Sequence, residues 1–301
     1  MTKLKLIRRT KEWILGIFTA VLLLGVAYTI LAPVIGIVSL SFMSGDDIFN
    51  PTVFLIPSQP SLYNISNALR LMNYWVTLSR TLIYAMGVAL LHVLVASFVG
   101  YGFARFKFYG NNVIFALVIF TIIVPAQAYI VPLFMQFRFF GPTDISLIDS
   151  YASIIILTSV GLGLRSGLFI YIFRQFFKGL PFEISEAAYI DGAGPLRTYA
   201  TVMLPNAKPA ITTVLLLALV WLYGDTLYTG ILMPGTRLIY QSTHGLFEAY
   251  RDQFRSTDEI NIRAQMVVYA GVLMIITPML VIYAALQRQF VEGVERSGIT
   301  G

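Results

Sequence analysis

Apolar residues in this chain run together instead of recurring at a helical or strand period. Six runs approach or pass the ~20 residues that a helix needs to cross a bilayer core. They are roughly Ile14–Leu40, Val76–Phe103, Val113–Met135, Tyr151–Phe177, Ile211–Met233 and Met266–Leu286. The pattern predicts an all-α, polytopic membrane protein with six transmembrane helices. The first run is long enough to tilt or to extend beyond the lipid. Pro33, Pro125, Pro132 and Pro278 fall inside runs, and the carbonyls they free need neighbouring helices or water.

Between the fourth and fifth runs lies EISEAAYIDGAGPLRTYATVMLPNAKPA, residues Glu183–Ala210, mostly small and polar with both signs of charge. Its grammar is helix, glycine turn, helix. Pro181 suits a first helical position, and Glu183 lies in the first turn, where a negative charge complements the helix dipole. Ile184, Ala187 and Ala188 fall on one face at helical spacing. Gly192 and Gly194 are expected to end that helix, because glycine accepts left-handed backbone angles. Pro195 opens a second short helix with Leu196, Tyr199 and Ala200 along one side, and Pro205 and Pro209 redirect the chain. Two readings stand on the residues alone: an amphipathic loop on the headgroups, or a plug for another protein. A lipid-surface helix carries large apolar residues on one face and Lys or Arg on the other, and Glu186-Ala187-Ala188 is poor at both.

Composition supports the membrane reading. The 301 residues are 57% hydrophobic and 12% charged, against about 25% charged in soluble domains. The net charge of +6 reports orientation and anionic headgroups before nucleic acid, and no aromatic-basic interleaving of the RNA-binding type appears. Lys3, Lys5, Arg8, Arg9, Lys11, Arg105, Lys107, Lys178, Arg197, Lys208, Arg288 and Arg296 fall on one side. That side is expected to be cytoplasmic, with both termini. The opposite loop Ser44–Trp75 has Asp46, Asp47 and only Arg70, whereas Pro234–Gln265 runs against the rule with Arg237, Arg251, Arg255 and Arg263. With no cysteine and only His92 and His244, no metal site is expected.

Glu186-Ala187-Ala188, Gly192, Val202 and Leu204-Pro205 resemble the EAA signature of ABC importer permeases, with Val202 where that family prefers Ile. The resemblance extends over roughly Thr81 to the C-terminus. RQFFKGLPFEISEAAYIDGAG is similar to the carbohydrate-importer branch, the subunits resembling the maltose permease. It implies the type I ABC importer permease fold in a bacterial plasma (inner) membrane. Residues 1–75 would form an N-terminal tail, first helix and external loop. Residues 76–290 would form the permease core, with a coupling loop at 181–209, and 291–301 a cytoplasmic tail. Glu186, Ala187, Ala188, Asp191, Gly192, Leu204 and Pro205 would dock on a cytoplasmic ATPase. The expected partners are a homologous permease subunit in a heterodimer, two ATPases, an extracytoplasmic solute-binding protein and an oligosaccharide. ATP and Mg would sit on the ATPases, with no cofactor on this chain.

What the chain lacks agrees with that division of labour. No GxxxxGK[ST] loop is present, so ATP chemistry must be supplied in trans. No GxSxG or HExxH occurs either, which speaks against the alternative of a membrane-embedded enzyme. Ionisable groups deep in a span usually have a task, which singles out Arg165, Asp225 and His92. Arg165 reads either as a structural partner of Asp225 or as a cavity group for a carboxylate-bearing sugar. The substrate path is expected to include Arg165, Tyr223, Asp225 and Tyr228, with Trp221 nearby, since aromatic faces and single polar groups suit sugar rings. A non-sugar cargo is the alternative within transport. His92 reads as a satisfied polar residue between helices. Leu246, Tyr250 and Phe254 form an expected apolar helix face outside the membrane, packed on the protein's own bundle or on the binding protein.

Overall fold

A computed structural model describes residues 2–142, 145–254 and 257–298, with side chains except at 2–10, 286 and 288–298. Arg255 and residues 299–301 of the expected tail therefore lie outside the described residues. So do the side chains of Lys3, Lys5, Arg8, Arg9, Arg288 and Arg296.

The described residues are helical apart from loops and one isolated bridge between Phe140 and Ile145. In chain order the α-helices are α1 (Thr2–Phe42), α2 (Gly45–Phe49), α3 (Tyr63–Leu71), α4 (Tyr74–Arg105), α5 (Asn111–Ile123), α6 (Ile130–Arg138), α7 (Tyr151–Ser159) and α8 (Ser166–Gly179). There follow α9 (Phe182–Ile190), α10 (Pro195–Thr198), α11 (Leu204–Asn206), α12 (Lys208–Tyr223), α13 (Leu227–Leu232), α14 (Gln241–His244), α15 (Leu246–Arg251) and α16 (Asp258–Gly298). A 3-10 turn at Ala126–Ala128 and a π turn at Tyr199–Met203 complete the set.

Three of the six apolar runs form unbroken helices long and apolar enough to cross a membrane: Lys11–Phe42, Tyr74–Arg105 and Asp258–Ala285. The other three are interrupted, which the hydropathy pattern did not predict. The third run stops at Ile123, because Pro125 drives Val124 into an extended conformation (φ −67°, ψ 120°). The fourth stops at Ser159, where Gly161 (φ +75°) and Arg165 (φ +60°) turn the chain before α8 begins. The fifth stops at Tyr223, and the helix restarts as α13 at Leu227, three residues beyond Gly224. At its other end α12 meets the Pro195–Asn206 segment at a 78° bend.

The chain divides into two compact units. One holds the residues up to Tyr74 together with Thr243–Ile276. In it α3 packs on α1 and on α15. Arg70 Nη2 donates to Gln253 Oε1 at 2.6 Å, and Tyr74 Oη donates to the Met274 carbonyl at 3.1 Å. Leu246 and Tyr250 are buried on this unit. The expected helix face ends sooner than its spacing suggested: α15 stops at Arg251, and exposed Phe254 rests on the Tyr250 ring at 5.3 Å. Two of the arginines in the Pro234–Gln265 stretch have local acidic partners, Arg251 with Glu248 and Arg263 with Glu259. From Lys11 to Leu31 the whole of α1 is exposed, so lipid or another chain must cover it.

The second unit holds Trp75–Ser242 together with the residues from Thr277 onward. Here α8 is central, packed on α5 and on α12, while α13 packs on α6 and α7.

The loop after α1 is irregular but tied down. Ser44 caps α2 by accepting from Asp47 N–H, and Asn64 Nδ2 donates to the Met43 carbonyl at 2.9 Å. Asp47 accepts from the Ser58 hydroxyl and, at 3.0 Å, from Gln59 N–H. These donors hold its carboxyl below the usual carboxylate range, Ser58 contributing most. A lowered folded-state value means that the tie is complete above the unfolded value of about 3.9 and is lost as pH falls through the folded one. Pepsin nicking within residues 50–60 should therefore rise as pH falls below about 4. Asp47→Ala should already be nicked at higher pH. Equal resistance of the two proteins at every pH would contradict this role.

Candidate functional site

The three helix breaks line one cavity of about 690 Å³. Its wall takes Phe120–Gln127 and Tyr129 from the first break, Gly161–Leu168 from the second, and Asp225, Leu227 and Tyr228 from the third. The volume falls within the 300–1,000 Å³ usual for small-molecule sites. Non-helical backbone at membrane depth is tolerated only where protein or water covers it, so the coincidence of breaks and cavity has a physical reason.

Arg165 is exposed into this cavity and caps α8. Its guanidinium lies over the Trp221 ring at 5.3 Å, and Trp221 stacks on Phe169 at 5.7 Å. No ion pair to Arg165 occurs among the described residues. The expected partner is engaged elsewhere. Asp225 accepts from Leu227 and Tyr228 N–H, both at 3.2 Å, and from Thr229 N–H at 2.9 Å. It stands one residue before the N-cap position, Thr226, and its carboxylate satisfies first-turn donors of α13 that the helix itself cannot. The pairing of Arg165 with Asp225 is thus replaced by two separate arrangements.

Tyr228 meets Tyr129 hydroxyl to hydroxyl at 2.7 Å, tying the first break to the third. Tyr223 is buried and does not line the cavity, a correction to the expected path. Tyr129 and Gln127 line the cavity unforeseen; Pro125 followed by a glutamine was the available signal. His92 is buried, with Nδ1 3.3 Å from Ser166 Oγ and no partner for Nε2 among the described residues. It is therefore half-satisfied, where full satisfaction was expected.

A second feature is the hairpin of α9 and α10. Pro181 precedes α9 as its cap, one residue before the expected start. Gly192 (φ +79°) ends it: Gly192 N–H donates to the Tyr189 carbonyl at 3.0 Å and Ala193 N–H to the Ala188 carbonyl at 2.9 Å. This pair of bonds is a Schellman stop, which favours glycine at that position. Gly194 has φ −73° and caps α10, so it does not share the left-handed role expected of it.

The two faces of the hairpin differ. Ser185, Ala188, Thr198, Met203 and Ala207 are buried, and Leu204 is half-buried. Glu186, Ala187, Asp191, Gly192 and Pro205 are exposed, with Ile190 at 85% and Leu196 at 68%. Ala187 and Ala188 therefore divide, one outward and one inward, because successive helical residues point ~100° apart. The end of α4 grips the inner side. Tyr199 lies against Phe98 and Tyr101 at 5.5 and 5.3 Å, with its hydroxyl 2.7 Å from Ser97 Oγ. Arg105 Nη2 donates to the carbonyls of Leu180 and Pro181 at 2.9 and 3.4 Å, and its guanidinium covers the Phe182 ring.

Residues 92–296 match the family described as "Binding-protein-dependent transport system inner membrane component". The chain belongs to this family. It is a membrane-spanning transport permease of ABC importers and not itself an enzyme. It is similar to the maltodextrin transport system permease protein MdxG of Bacillus subtilis, 29% identical over 226 residues, 74% of each chain. It is also similar to the arabinooligosaccharides transport system permease protein AraQ of Halalkalibacterium halodurans, 23% identical over 280 residues, 92% of this chain and 93% of that one. Among solved structures it resembles a chain of a bacterial ABC transporter that imports the acidic polysaccharide alginate. The TM-score is 0.75 at 24% identity, covering 93% of this chain and 98% of that one. That likeness establishes the type I importer fold.

In the permease Asp225 is a structural cap. Replacing it with Ala should lower unfolding stability in detergent by about 1–2 kcal/mol, the usual cost of losing an N-cap. Asp225→Asn, which keeps one acceptor, should lose less. Thermal unfolding followed by tryptophan fluorescence would show it; equal stability of all three forms would refute the capping role.

Proposed function

We propose that this permease moves sugars, and specifically oligosaccharides bearing carboxylates such as uronate oligomers. Relatives are named as permeases for maltodextrins, arabinooligosaccharides, galactooligosaccharides and diacetylchitobiose, which supports the sugar class. One observation carries the acidic reading: Arg165 faces the cavity at the helix breaks while the nearby carboxylate of Asp225 is consumed by three backbone donors. The cavity wall also takes in the first turn of α8, whose dipole adds positive potential. A planar guanidinium favours a carboxylate in a two-pronged pair. Tyr129 and Tyr228, which line the cavity, supply the polar and apolar contacts that sugar rings need.

In this reading the chain works in a bacterial inner membrane with both termini cytoplasmic. Residues 76–290 form the permease core, 1–75 the tail, first helix and external loop, and 291–301 a cytoplasmic tail. A different permease subunit completes the path, two ATPases bind ATP and Mg, and a binding protein delivers cargo. The outward residues Glu186, Ala187, Asp191 and Gly192, with Pro205, meet the ATPase, while Ala188 and Leu204 shape the hairpin from within.

Equilibrium binding to the purified transporter tests the cargo. A uronate trisaccharide should bind about tenfold tighter than a neutral hexose trisaccharide, the worth of one charged hydrogen-bonded contact. Arg165→Met should erase that preference and leave neutral binding near its original value. Equal preference in the two proteins would sink the acidic reading.

Coupling is tested separately. Disrupting Glu186 and Gly192 together should leave cargo binding intact and abolish cargo-stimulated ATP hydrolysis in liposomes. Full transport by that variant would refute the hairpin's role.

A further inference from the structure

His92 lies on α4, outside the cavity lining, and its chemistry is so far unused. It is 1% exposed, at a depth where an unsatisfied polar group is costly. Three contacts converge on it. Its Nδ1 lies 3.3 Å from the hydroxyl of Ser166, the residue directly after Arg165. Its ring edge meets Phe169 at 5.2 Å, and Phe169 in turn stacks on the Trp221 that carries the Arg165 guanidinium. Gly163, two residues before Arg165, leaves the room: a Cβ there would come within 2.8 Å of His92 Cε1 and 2.6 Å of Thr158 Oγ1.

We infer that His92 is a positioning residue that fixes Arg165 against α4, and so sets where the cavity's cation meets a carboxylate. The inference rests on the reading of Arg165 as a cargo contact. Arg165 is a non-glycine residue in the left-handed region, a conformation that costs free energy and persists only when its surroundings impose it. The backbone on one side is wedged by Gly163 against His92, and on the other side Ser166 is tied to His92. The side chain is held by the Trp221 face, backed by Phe169 and His92. Removing the imidazole thus loosens both the backbone and the ring stack beneath the guanidinium.

The same helix extends the consequence. Ser97, Tyr101 and Arg105, which hold the α9–α10 hairpin, lie five, nine and thirteen residues beyond His92 on α4. At 1.5 Å per residue the span from His92 to Arg105 is about 20 Å. One unbroken helix therefore links the hairpin to the setting of Arg165.

The trisaccharide binding assay on the assembled transporter tests this. His92→Phe, which keeps the ring stack but removes the bond to Ser166, should lower the uronate preference several-fold, towards that of Arg165→Met, with neutral binding little changed. His92→Asn, which can still reach Ser166, should recover most of the preference. The double variant with Arg165→Met should be no worse than Arg165→Met alone, because both act through one guanidinium. If His92→Phe does not assemble with its ATPases, Ser166→Ala carries the same expectation.

Equal weakening of acidic and neutral binding, or an unchanged preference in Ser166→Ala and His92→Phe, would overturn the positioning role. Loss of preference in Arg165→Met but not in the His92 and Ser166 variants would sink this inference alone. No loss in Arg165→Met would sink the cargo reading and this inference with it.

Discussion

In a bilayer every backbone N–H and C=O must find a partner within the protein, and an orphan costs several kcal/mol. This permease breaks three of its apolar runs nonetheless. The breaks are affordable because they are gathered around one cavity and because side chains replace the missing backbone partners. Asp225 shows how: its carboxylate accepts three amide donors at the start of α13. That service has a chemical consequence. A carboxylate whose oxygens are taken up by backbone donors is not free to pair with a guanidinium, and Arg165 is left without an acidic partner among the described residues.

The hairpin obeys a different constraint, that of ending a short helix and burying one of its faces. Its first helix is nine residues long and does not continue, because Gly192 takes a left-handed conformation and closes two hydrogen bonds back onto the last turn. Helices this short are marginal in isolation, so packing against the rest of the chain has to stabilise it. Ser185, Ala188, Thr198 and Met203 supply the inward face, and Arg105 and Tyr101 reach across from α4. What remains outside is a mixed face in which Ile190 and Leu196 are exposed beside Glu186 and Asp191. Such a face suits a protein groove with a basic rim better than a lipid surface, where cations would be favoured.

Sequence reading succeeded where the physics is additive along the chain. Hydropathy summed over twenty residues located α1, α4 and α16, because nothing interrupts them. It missed the breaks in the third, fourth and fifth runs because their residues are still apolar on average: Val124, Pro125 and Ala126 score much as a helix would. Pro125 and the Gly161–Gly163 spacing were the only local signs. The two ends of the hairpin were legible, since proline and glycine act through their own backbone, yet Gly194 turned out to cap the following helix. Whether Arg165 joined Asp225 or faced a cavity could not be read from spacing. The answer depends on the backbone turn at Gly224, which hands the carboxylate to Thr229 and its neighbours. Tyr223 and Tyr228 looked equivalent in sequence and are separated by that same turn.

The pieces also constrain one another mechanically. Close-packed interiors transmit displacement because their side chains have few alternative positions. α4 is continuous from Trp75 to Arg105, without proline, so it moves as a unit where broken helices would absorb strain at their breaks. Its far end is bonded to the hairpin's inner face and its middle to Ser166. α8 is also unbroken, from Ser166 at the cavity wall to Gly179 just before α9. A displacement imposed on the hairpin therefore has stiff routes to the cavity along α4 and α8, and both reach Ser166, beside Arg165.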